Sequence, residues 1–160
     1  MKECLELIGL LKEKGLKISC AESCTGGLAS KSITDVSGVS SVFYGGVVSY
    51  DNSVKINALG VKEQTLSSFG AVSHQTAEEM ALGVSQLCGT DIGISTTGIA
   101  GPDGGTPEKP VGTVYIGAFV NGKAFSKRLD IGSSLSRDEI RHRATALLFE
   151  FAIQKIMENY

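Results

Sequence analysis

From Lys2 to Lys14 the apolar residues Cys4, Leu7, Ile8 and Leu11 recur at helical spacing among charged ones, and Gly15 closes the run. The pattern predicts an amphipathic helix over 3–14. LKISC (16–20) is then a short strand, and AESCTGG (21–27) leads into a second helix that ends near Asp35. After the turn SGVSS, the run VFYGGVVSY (42–50) is rich in β-formers. DNSVKINALG (51–60) and EQTLSSFG (63–70) predict two short helices. Ser73 caps a longer helix that turns Ala77, Met80, Ala81, Val84 and Leu87 inward and stops at Gly89. DIGIST (91–96) reads as a strand, and TVYIGAFV (113–120) is so uniformly apolar that it belongs inside a sheet covered on both faces. Asn121-Gly122 predicts a tight hairpin into a strand over 123–131. SRDE (136–139) is a capping box that opens a long C-terminal helix burying Ile140, Ala144, Leu147, Leu148, Phe151 and Ile156.

Helices and strands alternate early and a hairpin comes late, so the expected fold class is α/β, a three-layer α/β/α sandwich around a mixed β-sheet. With 160 residues and no repeat or linker, a single domain over 1–160 is expected. The 42% hydrophobic and 20% charged content is that of a globular protein, and the net charge of −2 gives no general attraction for nucleic acid or an anionic membrane. An anionic ligand must therefore be held by a few placed donors. Charges interrupt the apolar residues of the N-terminus and no run approaches a membrane span, so a cytoplasmic location is expected. Cys4, Cys20, Cys24 and Cys88 form no CxxC pair, which predicts reduced, mostly core-filling thiols, and with only His74 and His142 no metal site is expected.

Two segments could carry chemistry. AESCTGG sits between a strand and a helix, where Ser23, Thr25 and Gly26 either present free N–H groups to an anion or serve as an ordinary cap with close-packing glycines. The stretch TGIAGPDGGTPEKPVGT (97–113) holds all 3 prolines of the chain and leaves a strand end, the place where α/β sheets gather ligands. Its prolines argue for a stiff site wall rather than a loose excursion, and glycines such as Gly98 and Gly101 would let a ligand approach the backbone. Lys55 and Arg137 both lie in the first turns of predicted helices, where the dipole disfavours a cation by about 0.3–1 kcal/mol. Such a position, with burial, would lower a lysine pKa toward that of a usable base, whereas arginine stays charged and would bind an anion. Since each histidine reads as a surface or packing residue rather than a base, a serine hydrolase built on this chain would need another base, for which a Ser-Lys pair is one known solution. Cys24 competes as a nucleophile, although the reading preferred is a buried filler.

AESCTGG, GGVVSYDNSVKINALGV and TGIAGPDGGTPEKPVGTV, in this order and spanning nearly the whole chain, resemble the CinA C-terminal domain family. Its stand-alone members are the PncC-type nicotinamide-nucleotide amidohydrolases. The resemblance implies hydrolysis of the carboxamide of nicotinamide mononucleotide to nicotinate mononucleotide and ammonia, a step of pyridine-nucleotide salvage, with no metal, ATP or other cofactor. It puts the catalytic pair on Ser40 and Lys55, Tyr50 beside them as an orienting partner, and Thr97 and Arg137 in support. Ser23, Thr25, Gly26, Gly98 and Gly101 are further candidates for substrate contact. The expected partners are the nucleotide substrate and a second copy of the chain, as a homodimer or other homo-oligomer. Longer family members carry an additional N-terminal domain, whose activity is not expected of this segment. The rival reading is a non-catalytic nucleotide-binding or interaction module linked to competence or DNA damage, which would need the loops but no working Ser-Lys pair.

Overall fold

The computed structural model describes all 160 residues. In chain order the elements are α1 (Lys2–Lys14), β1 (Ile18–Glu22), α2 (Leu28–Thr34), a 3-10 turn at Val39–Ser41, β2 (Phe43–Val48), α3 (Asn52–Leu59), α4 (Glu63–Phe69), α5 (His74–Cys88), β3 (Ile92–Gly98), β4 (Thr113–Val120), β5 (Lys123–Asp130) and α6 (Arg137–Asn159). The five strands lie in the order β2-β1-β3-β4-β5. β1 pairs in parallel with both β2 and β3, while β3, β4 and β5 run antiparallel to one another. The sheet is therefore mixed, with α3 and α5 packed on one face and α1, α2 and α6 on the other.

The larger core cluster lies under α1 and α6 and includes Leu7, Leu11, Ile18, Ile94, Ile116 and Phe149. A smaller one joins Ala21, Leu59, Val61, Met80 and Val84 beneath α3 and α5. Gly93 and Gly117 allow α5 to sit almost on the sheet backbone, since a β-carbon at either would overlap the carbonyl of Ala81 or Ala77. The hairpin turn takes positive φ at Asn121 (48°) and Gly122 (75°), as a two-residue turn between twisted strands requires. Ser136 and Glu139 form the reciprocal capping box foreseen for α6.

Three details depart from the sequence reading. β1 starts and ends two residues later than expected, because Ala21 and Glu22 continue the ladders with β2 and β3 although Glu22 is charged. Leu87, expected inside, is 57% exposed at the last turn of α5, beyond the end of the core it was assigned to. Leu147 is only partly buried at the margin of the larger cluster.

Candidate active site

Side chains alternate along β1, with Ser19 bonded to Val84 of α5 and Glu22 turned to the α2 face, so Ser23 emerges on the side of α3 and α5. The C-terminal ends of β1 and β2 lie side by side, and there Lys55 of α3 reaches in. Its Nζ donates to Ser49 O at 2.7 Å, Ser23 Oγ at 3.2 Å and Tyr50 O at 3.4 Å. Lys55 is 1% exposed and forms none of the ion pairs of the structure. Burial holds its pKa below the usual 10.5, against the opposing field of the Asp51 carboxylate. Asp51 caps α3 through Ser53, so it fixes the helix that carries Lys55 without neutralising the lysine.

This shift sets the sign of a pH effect on stability. The unfolded chain holds the Lys55 proton more tightly than the folded one, so its contribution is complete above pH 10.5 and is lost as pH falls through the lowered folded value. Between parent and Lys55→Met, the difference in unfolding free energy should shift toward the parent as pH rises from 7 to 10. Chemical denaturation at several pH values reads this difference, and a flat one would mean that Lys55 is solvated in the folded state.

Ser23 sits at the head of a tightly tied turn. Glu22, fully buried, accepts from Thr25 Oγ1 (2.7 Å), the N–H groups of Gly27, Ala29 and Ser30 (3.1, 3.0 and 2.8 Å) and Ser30 Oγ (2.8 Å). Five donors compensate its desolvation without a cation. Arg141 of α6 closes on the turn from above, its Nε and Nη2 donating to Thr25 O at 3.2 and 2.6 Å. Gly26 has a positive φ of 60°, and a β-carbon there would stand 3.2 Å from Arg141 Nη2.

The sequence-derived pair of Ser40 and Lys55 is not brought together. Ser40 is exposed in the 3-10 turn before β2, whereas Lys55 follows β2, and a strand of this length separates its ends by about 20 Å. The serine that meets Lys55 is Ser23. Tyr50 is present by its carbonyl on Lys55, while its exposed ring reaches outward to Arg137, whose Nη2 donates to Tyr50 OH at 3.0 Å and whose Nη1 donates to Gly101 O at 2.7 Å. Arg137 thus spans the strand ends with only neutral acceptors. Thr97 lies one strand over at the level of Ser23, its hydroxyl proton committed to Ala71 O at 2.7 Å.

Several candidates serve the scaffold. Thr25 Oγ1 joins Glu22 and Thr96, and Gly98 and Gly101 are needed because a β-carbon would collide with β4 or Val111. Gly98, read from sequence as part of the loop, is the last residue of β3 and lies against β4, while Gly101 packs the loop upon itself, so the close approaches at both are to the protein's own chain. A groove of about 530 Å³ runs past Glu78, Phe125, Lys127 and Phe151 at the β5 edge, across the sheet from Lys55, and takes in neither Ser23 nor Lys55. Ser23 and Lys55 are enclosed instead, being 9% and 1% exposed. Sequence reasoning missed Glu22 and Arg141. A carboxylate directly before a Ser-Cys-Thr-Gly-Gly turn was the available signal for the first; no local pattern marks the second.

Burial pushes the Cys24 thiol up to about 12, with Glu22 adding to the effect, so it is not a ready thiolate. Burial likewise raises the Cys20 thiol well above its usual value, whereas Cys88 is only partly buried. Brief iodoacetamide treatment of the native protein at pH 8 should therefore modify Cys88 and spare Cys24, as read by peptide mass spectrometry. Preferential labelling of Cys24 would contradict the buried-thiol assignment.

Comparison with known proteins agrees with this arrangement of elements. The family model of the CinA C-terminal domain matches residues 3–156. The chain belongs to the CinA C-terminal domain family. A CinA-like protein of Kosmotoga olearia is 53% identical over 151 residues, which is 94% of this chain and 36% of that protein. The chain thus spans about a third of the length of the curated relatives it matches. Among solved structures, the competence/damage inducible protein CihA from Agrobacterium tumefaciens superposes with a TM-score of 0.90 at 39% identity, covering 94% of this chain and 91% of that one. The competence damage-inducible protein A (ComA) from Klebsiella pneumoniae gives 0.88 at 30% identity over 93% and 91% of the two chains. These CinA-superfamily structures share the mixed five-stranded α/β architecture. No helix of this CinA C-terminal domain is long and apolar enough to cross a membrane.

Proposed function

We propose that this chain hydrolyses a primary carboxamide to a carboxylate and ammonia, with Ser23 as nucleophile and Lys55 as general base, and that its substrate is nicotinamide mononucleotide. The carrying observation is the 3.2 Å contact between Ser23 Oγ and a buried lysine with no carboxylate partner and a lowered pKa. A lysine in this state gives up its proton more readily than one in water, so its neutral amine can take the Ser23 proton as Oγ attacks the amide carbon. The same nitrogen then protonates the departing amide nitrogen, which leaves as ammonia, and water cleaves the acyl-serine with Lys55 again taking and returning the proton. Ser49 O and Tyr50 O orient the amine, and Thr97, whose own proton is spent on Ala71, keeps lone pairs free to accept from the substrate amide.

The choice of nucleotide rests on the sequence resemblance, supported by Arg137, a cation held only by neutral oxygens at the site mouth. A purely binding module has no use for a buried lysine held on a serine at a strand end, because desolvating that charge without an ion pair is costly. The test is ammonia release from nicotinamide mononucleotide by the purified chain, with nicotinate mononucleotide identified as the co-product. No release at high enzyme concentration, with or without the remainder of a full-length relative, would reject the assignment.

A further inference from the structure

A serine amidase needs a donor for the oxygen that becomes charged as the carbonyl is attacked, and such donors are worth most when fixed beforehand. Main-chain N–H groups near the nucleophile are the usual source, the one on the following residue being favoured by its proximity. Around Ser23 the hydrogen bonds can be counted through. Gly26 N–H donates to Ser23 O, Leu28 N–H to Thr25 O and Lys31 N–H to Gly27 O. Gly27, Ala29 and Ser30 donate to the Glu22 carboxylate. Every amide from Gly26 to Lys31 is therefore occupied, and the turn has none left there for an anion. The two amides directly after Ser23, those of Cys24 and Thr25, donate to no other residue, the Cys24 N–H having only its own thiol beside it. Thr25 is wholly enclosed at 0% exposure, whereas Cys24 keeps 5% and adjoins Ser23, itself 9% exposed.

Resting on the serine-amidase reading above, we propose that the main-chain N–H of Cys24 is the oxyanion donor of this site, and that Glu22 and Arg141 are positioning residues that hold it in place. As Ser23 Oγ bonds to the amide carbon, its proton passes to Lys55 Nζ and the carbonyl π pair moves onto oxygen, which accepts the Cys24 N–H. Return of that pair breaks the C–N bond, and the nitrogen leaves as ammonia with the proton from Lys55. Glu22 anchors the turn from below through the amides of Gly27, Ala29 and Ser30, and Arg141 from above through Thr25 O. Leaving Cys24 N–H with no acceptor but its own weakly accepting thiol, inside so fully bonded a turn, is the arrangement expected of a donor reserved for the transition state.

The direct test replaces the amide between residues 23 and 24 by an ester, introducing the α-hydroxy analogue of alanine or serine at position 24 by nonsense suppression beside the matching amide control. This removes one N–H and leaves Ser23 and Lys55 in place. Loss of one such donor is expected to lower kcat on nicotinamide mononucleotide by about 10²–10³-fold with KM changed by less than about 3-fold. A kcat within about 3-fold of the amide control overturns the proposal. Ser23→Ala is assayed alongside: if it is as active as the parent, the serine reading has failed, and if it is inactive while the ester variant is fully active, only the oxyanion assignment has. Should the ester variant not fold, Arg141→Ala provides a second measurement. It should lose kcat rather than KM, equally on nucleotide and riboside, and regain part of it with added guanidinium. A rise in KM confined to the nucleotide would instead make Arg141 a phosphate ligand and remove its positioning role.

Discussion

Ser23→Ala and Lys55→Met are each expected to lower ammonia release from nicotinamide mononucleotide by roughly 10³-fold or more, because removal of a nucleophile or its base eliminates the covalent route and leaves only binding and oxyanion contacts. Ser40→Ala, in the exposed turn before β2, is expected to stay within about 3-fold of the parent, the range of a neutral surface substitution. Lys55→Arg should fail as fully as Lys55→Met, since guanidinium keeps its proton at every accessible pH. The pH profile gives the sign independently. Attack needs neutral Lys55, so kcat/KM should rise with pH to a plateau, with an apparent pKa below the 10.5 of a free lysine because burial lowers it. Circular dichroism and thermal unfolding separate lost chemistry from lost folding. Activity of Ser23→Ala near that of the parent, or inactivity of Ser40→Ala with an intact fold, would move the nucleophile away from β1.

Much of this fold was legible in the chain because each element carries its own boundary. Gly15, Gly60 and Gly89 take positive φ at helix ends, Asp51, Ser73 and Ser136 accept from the first-turn amides, and Asn121-Gly122 makes the hairpin. The serine that meets Lys55 was not legible in this way. Ser40 is nearer to Lys55 in sequence than Ser23 is, yet β2 stands between them as a rigid spacer, whereas Ser23 is 32 positions away and arrives beside Lys55 because β1 and β2 are parallel neighbours. Residues that precede and follow one strand lie at opposite ends of it, so the order Ser40, β2, Lys55 already argued against that pair. The order β1, Ser23 and β2, Lys55 puts both groups after strand ends, where a parallel pair gathers its site. Arg141 could not be read at all, since its contact with Thr25 crosses 116 positions and depends on how α6 lies over the sheet.

Arg137→Ala should discriminate between two substrates that differ only by a phosphate. The chain has a net charge of −2 and no basic tract, so an anionic group must be held by individual cations. Arg137 is the cation available at the strand ends beside Ser23: its field reaches Cys24, and its guanidinium bonds only to Gly101 O and Tyr50 OH. A phosphate competes well for such a group, because a charge-assisted, two-pronged contact outweighs bonds to neutral oxygens. The helix start after Ser23 does not offer an alternative set of free amides, since every one from Gly26 to Lys31 is occupied and Glu22 takes those of Gly27, Ala29 and Ser30. Removing a hydrogen bond to a charged partner costs about 1.5–3 kcal/mol, or about 10–100-fold. kcat/KM for nicotinamide mononucleotide should fall by that factor in Arg137→Ala, while that for nicotinamide riboside, poorer with the parent enzyme, should change by less than about 3-fold. The four kinetic constants, two enzymes on two substrates, form a closed cycle whose coupling term isolates the phosphate contact. Equal losses on both substrates would give a coupling of zero. Arg137 would then act by holding Tyr50 and Gly101 in place, and the phosphate would have to be bound elsewhere.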